Sequence, residues 1–148
     1  MIFVTVGAGA VRGFDPLIKA VDNLNLKEKV ICQIGNGNYI PKNCEYFRIK
    51  PSIIHYFKKA DIIISAGGAG STFELLNLGK KIISVVNPDV AGDHQKELIN
   101  RLNKENYLIW CKNLNQFNEH LNKAKKFKFK KYKKSECRIY KIIEMNIL

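Results

Sequence analysis

Six short runs of apolar, largely β-branched residues alternate with amphipathic stretches, and this constrains the 148-residue chain more than any other feature. The runs are Ile2 to Val6, Val30 to Ile34, Glu45 to Ile49, 61–65, Lys81 to Val86 and Tyr107 to Cys111. Between them, Asp15 to Leu26 carries Leu17, Ile18, Val21 and Leu24 on one helical face. A second helix opens at Pro51 and Ser52, where the missing proline N–H is harmless in a first turn. A third follows Ser71 and closes at Gly79, a fourth runs from about Asp93 to Asn106, and a fifth from Leu114 to about Lys126. Strands that are apolar throughout, each followed by a helix, predict a parallel sheet covered on both faces. Right-handed crossovers then give a doubly wound, Rossmann-like α/β fold with its ligand at the carboxyl ends of the strands. Residues 1–126 form this domain, and 127–148 read as a basic tail.

Several classes are excluded early. No apolar run reaches the length of a membrane span, and the chain opens on a strand rather than a charged signal region, so a cytoplasmic location is expected. Cys32, Cys44, Cys111 and Cys137 lie too far apart to suggest a disulfide framework or a zinc site. The net charge of +12 points toward nucleic acid only at first sight. Residues 123–148 hold ten Lys or Arg against two Glu, so the tail carries +8 and the other 122 residues only +4.

The chemistry concentrates after the fourth strand, in Ser65-Ala66-Gly67-Gly68-Ala69-Gly70-Ser71. A strand passing through small residues into a helix leaves free backbone N–H groups at the positive end of the helix dipole, a site for a phosphate or diphosphate. The plain alternative is a tight strand-to-helix turn. Glu74, about one turn further on, could accept two hydrogen bonds from a ribose diol, or simply complement the helix dipole. The loop after the first strand, Gly7 to Gly13, resembles a dinucleotide fingerprint but has Arg12 where the third glycine belongs. No acidic residue ends the second strand, where Gln33-Ile34-Gly35 stands, so NAD binding is disfavoured. No Gly-Lys-Ser/Thr follows a glycine loop, and Ser71 lacks a nucleophile-elbow context. His55 and His120 read as packing or surface residues on helices. The polar loop from Asn87 to Gln95 sits at the carboxyl edge of the sheet, with Asp93 either a ligand-facing residue or an N-cap.

Taken together, these motifs resemble one family. The opening Met1 to Gly7, Phe14-Asp15 with Leu17 to Asp22, Gln33-Ile34-Gly35, the glycine loop with Glu74, Gly79-Lys80, and Asp93-His94-Gln95 with Glu97-Leu98 keep its order and spacing. That family is the glycosyltransferase family 28 C-terminal domain, in its stand-alone members. These are catalytic subunits of two-part UDP-sugar transferases, among them the dolichol-pathway GlcNAc transferase subunit and bacterial exopolysaccharide or capsule subunits. The resemblance implies the donor-binding half of a GT-B enzyme, with Gly67, Gly68, Ala69, Gly70 and Ser71 at the diphosphate and Glu74 at the ribose. It places His94 and Gln95 at the donor sugar, Ile49 and Lys50 beside uracil, and Gly7 in a loop bordering the cleft. It also implies inverting transfer without a metal or other cofactor, and no D-x-D motif is present to hold one. The chain offers no evident catalytic base, so the base is expected from a membrane-anchored partner subunit or the interface with it. That partner would bring the lipid-linked acceptor and hold this chain at the inner membrane face. Two departures border the cleft: Ala66 stands where many relatives have His, and the first loop is longer than usual.

The tail from Lys125 to Lys134 interleaves lysines with aromatics, and Ile139, Ile142 and Ile143 follow at helical spacing. It suits an anionic membrane surface, a solvated tail packing on the domain, or docking to the partner. The alternatives for the whole chain are a silent UDP-sugar-binding subunit and a basic nucleic-acid-binding module, nucleic acid being the weaker partner.

Overall fold

The computed structural model describes residues 1–7, 13–66, 68–89 and 92–133. The strands are β1 (Ile2–Thr5), β2 (Val30–Gln33), β3 (Glu45–Phe47), β4 (Ile62–Ser65), β5 (Lys81–Ser84) and β6 (Ile109–Trp110). The helices are α1 (Asp15–Asn23), α2 (Ile54–Lys59), α3 (Ala69–Asn77), α4 (Asp93–Lys104) and α5 (Phe117–Lys126), the last entered through a 3₁₀ turn at Leu114–Gln116. Every pairing is parallel, in the order β3-β2-β1-β4-β5-β6. This is the doubly wound, Rossmann-like sheet that the alternation predicts, with each strand a residue or more shorter than its apolar run.

The strand pleat divides the core in two. Ile2 and Val4 of β1, Ile62 and Ile64 of β4, and Ile83 of β5 face α1 and α5, meeting Leu17, Ile18, Val21, Phe117 and Leu121. Phe3, Ile63 and Ile82, one residue out of phase, meet Phe57 of α2, Leu75 and Leu76 of α3, and Leu98, Ile99 and Leu102 of α4. Central-strand side chains are fully buried on both faces, so truncating Ile63 or Ile64 to Ala costs about 2–5 kcal/mol.

Local chemistry sets the ends of the elements that carry the site. α3 stops at a Schellman turn: Gly79, at φ +69, donates to the Leu76 carbonyl and Lys80 N–H to that of Leu75. The Lys80 ammonium then reaches the carbonyls of Lys58 (2.8 Å) and Ala60 (3.0 Å), satisfying the end of α2 just before β4 begins. α2 begins at Ile54 rather than at Pro51, with the Ser52 hydroxyl accepting from Ile54 N–H.

The described part of the basic tail packs on the domain. Phe127 and Phe129 stand edge to face at 4.9 Å against the core under α5. Lys130 N–H donates to the Asn106 carbonyl (2.8 Å), and Tyr132 is buried between Phe73 and Tyr107 on the other face. The intervening lysines stay exposed. The candidate helix carrying Ile139, Ile142 and Ile143 lies outside the described residues.

Candidate functional site

The strand order places the site. From β1 the chain winds outward through β2 and β3, then returns to the other flank of β1 as β4 and winds the opposite way. The crossovers after β1 and β4 therefore lie on opposite faces, and a crevice opens between their starting loops at the carboxyl edge. Gly7 follows β1 there and Ala66 and Gly68 follow β4, so both glycine-bearing loops border one crevice.

At the β4 side Gly70 lies within the helix rather than before it. α3 begins at Ala69, three residues before the start expected after Ser71, because both the N–H and the hydroxyl of Thr72 donate to the Gly68 carbonyl (2.9 and 2.7 Å). Ala69, Gly70 and Ser71 are thus the first helical turn, whose N–H groups have no acceptor within the helix. Gly68 is the N-cap residue, and no side chain caps this end.

No packing contact inside the described chain asks for glycine here. Gly68 has ordinary extended angles, φ −61 and ψ 136, and Gly70 is helical. A Cβ built on either meets no atom within 4 Å. Glycine is a favoured N-cap residue, which accounts for Gly68, but within a first turn it weakens the helix relative to alanine, so Gly70, with no steric reason inside the protein, points to something approaching from outside. Glu74 lies four residues after Gly70 on the same exposed face of α3, while Thr72, Leu75 and Leu76 are buried. Gly67 lies outside the described residues.

At the β1 side, buried polar groups set the start of the loop. Thr5 donates its hydroxyl to Gln33 Oε1 (2.6 Å) and accepts from Gly7 N–H (3.1 Å). Gly7 turns at φ +116, a conformation that needs glycine. Residues 8–12 lie outside the described set. At the loop's far end Gly13 rests on Gly37: a Cβ at Gly13 would sit 2.2 Å from Gly37 Cα. The Asp15 carboxylate accepts from the N–H groups of Asn38 (3.0 Å) and Tyr39 (3.2 Å), and Arg48 donates to the carbonyls of Gly35 (3.0 Å) and Gly37 (2.9 Å). Asp22, buried in α1, takes the Tyr39 hydroxyl (2.7 Å) and the N–H groups of Lys42 and Asn43. Burial opposes its charge, but those donors hold its carboxyl below the usual carboxylate range. These groups, Thr5, Asp15, Asp22 and Arg48, position the loops; the sequence carried no local signal of these roles, because their partners are distant along the chain.

The remaining expected residues also stand at the carboxyl edge. Asp93 is the first residue of α4, after an N-cap at Gly92, rather than the cap itself. His94 is exposed and Gln95 half-buried in that first turn. The preceding loop is braced by Asn87, whose Oδ1 accepts from Asp89 N–H (3.1 Å); Val90 and Ala91 lie outside the described residues. Ile49 is 54% exposed after β3. Lys50 folds its ammonium over the rings of Phe47 (4.6 Å) and Tyr56 (4.9 Å) and donates to the Tyr56 hydroxyl. Its backbone is left at the sheet edge while its charge is committed to aromatic neighbours. The arrangement offers a bare helix N-terminus for an anion, a carboxylate one turn along for vicinal hydroxyls, and polar first-turn groups on the neighbouring helix.

The model of the glycosyltransferase family 28 C-terminal domain matches residues 1–145. The chain belongs to this family. It is 34% identical to the human UDP-N-acetylglucosamine transferase subunit ALG13 over 122 residues, covering 74% of this chain and 11% of that protein. It is 26% identical to the UDP-N-acetylglucosamine–N-acetylmuramyl-(pentapeptide) pyrophosphoryl-undecaprenol N-acetylglucosamine transferase of Pelagibacter ubique, over 79% of this chain and 44% of that one. In fold, it matches the solution structure of ALG13 with a TM-score of 0.61 across 98% of this chain and 93% of that chain, at 18% identity. The chain thus spans from about a tenth to under half of the curated relatives named here. The family resemblance drawn from the glycine loop, Glu74 and Asp93-His94-Gln95 is borne out, and so is the Rossmann-like fold class. Among the described residues, no helix is long and apolar enough to cross a membrane.

Proposed function

We propose that this chain is the donor-binding, catalytic subunit of an inverting glycosyltransferase that uses a UDP-sugar. It transfers a hexose or N-acetylhexosamine to an acceptor joined through a diphosphate to an isoprenoid lipid. The single observation that carries the reading is the first turn of α3, where Gly70 keeps a side chain away from open amides for no steric reason internal to the fold. Family membership supports the reading, as do relatives named as UDP-N-acetylglucosamine transferases, one of them acting on a pyrophosphoryl-undecaprenol compound.

In this reading the diphosphate lies on the N–H groups of residues 67–71, and Glu74 accepts from the ribose hydroxyls. Ile49 and Lys50 flank uracil through backbone groups, and His94 and Gln95 meet the donor sugar. The acceptor oxygen attacks the anomeric carbon opposite the diphosphate, the bond from that carbon to the diphosphate oxygen breaks, and UDP leaves with the negative charge. Oriented amides and the helix dipole stabilise that charge, so the step needs no metal. The acceptor proton passes to a base contributed by a membrane-anchored partner subunit or formed at the interface with it.

The test is calorimetry with UDP on the folded chain, followed by a transfer assay over several UDP-sugars with the companion subunit present. Saturable UDP binding that Glu74→Ala weakens supports the reading. No heat with UDP, in the presence of the companion, overturns it. UDP binding without transfer of any tested sugar would reassign the chain as a silent donor-binding subunit.

A further inference from the structure

Three cysteines lie among the described residues, and two of them meet. Cys32 is the third residue of β2 and is fully buried. Its Cα partner on the neighbouring strand is Tyr46, so Cys44, two residues before Tyr46, falls on the same side of the sheet. The separation of the two cysteines along the chain is thus closed by the pairing of β2 with β3. Both side chains belong to the core that faces α1 and α5, where Cys44 is half-buried at the rim. The two thiols hydrogen-bond to each other, and the Cys44 thiol also meets the Asp22 carboxylate.

This contact treats the two sulfurs differently. The hydrogen bond to Cys44, together with burial, pushes the Cys32 thiol far above its ordinary value, so Cys32 keeps its proton. The same bond, donated by Cys32, holds the Cys44 thiol below the ordinary value, against the opposing effects of burial and the Asp22 charge. The thiolate is the nucleophilic form, so the more exposed sulfur is also the more reactive. Cys111 is the contrast. Burial pushes its thiol up to about 11, it donates to the Asn113 carbonyl (3.2 Å), and no second thiol contacts it among the described residues.

We infer that Cys32 and Cys44 are a peroxide-reactive thiol pair that closes reversibly into a disulfide, with Cys44 the attacking sulfur and Cys32 the resolving one. The Cys44 thiolate attacks one oxygen of hydrogen peroxide, the O–O bond breaks, and Cys44 becomes a sulfenic acid. The hydroxide that leaves takes up the proton that the Cys44 thiol gave off on ionising. The Cys32 sulfur then attacks the Cys44 sulfur, the S–O bond breaks, and the Cys32 proton departs with the hydroxyl as water. In sum, two thiols lose two electrons and one peroxide becomes two waters. A dithiol reductant reverses the step by exchange. The pair sits at the base of a segment that borders the cleft. From β2 the chain passes the Gly37 contact with Gly13 and the Asn38 and Tyr39 bonds to Asp15, then returns through the Lys42 and Asn43 bonds to Asp22.

The test treats the reduced, folded chain with a small excess of hydrogen peroxide, blocks the remaining thiols with N-ethylmaleimide, and maps tryptic peptides by mass spectrometry without reductant. Cleavage after Lys29, Lys42 and Arg48 puts the two cysteines in separate peptides, 30–42 and 43–48. The expected product is these two joined, lighter than their sum by two hydrogens and separated again by dithiothreitol. In Cys32→Ala, dimedone is expected to trap Cys44 as a sulfenic acid. In Cys44→Ser, Cys32 is expected to oxidise at least about tenfold more slowly than in the parent. A cooperative melt by circular dichroism shows that each variant is folded. Unlinked peptides in the parent, at a peroxide level that oxidises Cys137, would overturn the inference. So would linkage of Cys32 or Cys44 to Cys137 or to a second molecule. No dimedone adduct in folded Cys32→Ala, or oxidation of Cys32 at the parental rate in Cys44→Ser, would overturn the roles given to the two sulfurs.

Discussion

Gly70 and Glu74 share the exposed face of α3, one turn apart, so the bare amides and the only carboxylate of that helix look out on the same side. A nucleoside diphosphate spans such a spacing, with its phosphates on the helix end and its ribose diol one turn along. Replacing Glu74 with alanine is expected to weaken UDP binding about tenfold, the scale of hydrogen bonds to a charged group. With 2′-deoxy-UDP as ligand the same substitution should matter less. Calorimetry with both nucleotides checks this, and equal losses would argue against ribose recognition.

The contact between Gly13 and Gly37 predicts a second outcome. A methyl group at Gly13 would lie 2.2 Å from Gly37 Cα, so backbone must move, and one at Gly37 would lie 2.5 Å from Asp15 Oδ1, displacing the carboxylate that accepts from Asn38 and Tyr39. Either alanine variant is expected to lose about 1–3 kcal/mol in urea unfolding, as overpacked sites do. A variant as stable as the parent would mean that the first loop is not seated on the second.

Thr5 ties the end of β2 to the start of the first loop through one hydroxyl. Thr5→Val removes the donor to Gln33 Oε1 and the acceptor for Gly7 N–H, leaving buried groups unpaired. A loss of about 1–3 kcal/mol is expected. Thr5→Ser, which keeps the hydroxyl, should recover most of it; a loss in Thr5→Ser equal to that in Thr5→Val would mean that the hydroxyl's bonds contribute nothing.

Acid should reveal Asp22. Its carboxyl is held below the ordinary value in the folded chain, so the unfolded state binds the proton first as pH falls. The stability it contributes is complete above the unfolded carboxylate range and disappears as pH drops through that range toward the folded value. Asp22→Asn should flatten this part of the stability curve while lowering stability at neutral pH. An unchanged acid slope would show that the Tyr39, Lys42 and Asn43 donors do not act on its charge.

Most of the fold was readable because it rests on local pattern. The apolar runs around Phe3, Ile63 and Ile83 and the 3.6-residue spacing in α1 name their elements without reference to anything distant. The start of α3 was misjudged because glycine's low helix propensity makes Ala69-Gly70-Ser71 read as loop, whereas the paired bonds from Thr72 to Gly68 draw it into the helix. The contacts of Gly13 with Gly37 and of Thr5 with Gln33 join residues far apart in sequence, and no local signal reports them. In the tail, the lysine pattern left a membrane surface, packing on the domain and docking to a partner all open, because only the contacts of Phe127, Phe129 and Tyr132 with the two cores distinguish them. The glycine loop and Glu74 stood out because their chemistry is carried by consecutive residues.

The central claim is that glycine at position 70 serves a ligand rather than the fold, and Gly70→Ala tests it most directly. A Cβ there meets nothing within 4 Å, and alanine favours the helix by up to about 1 kcal/mol. The account predicts a melting temperature raised by about 2–4 °C together with at least tenfold weaker UDP binding. A variant that is more stable and binds UDP as tightly as the parent would contradict it.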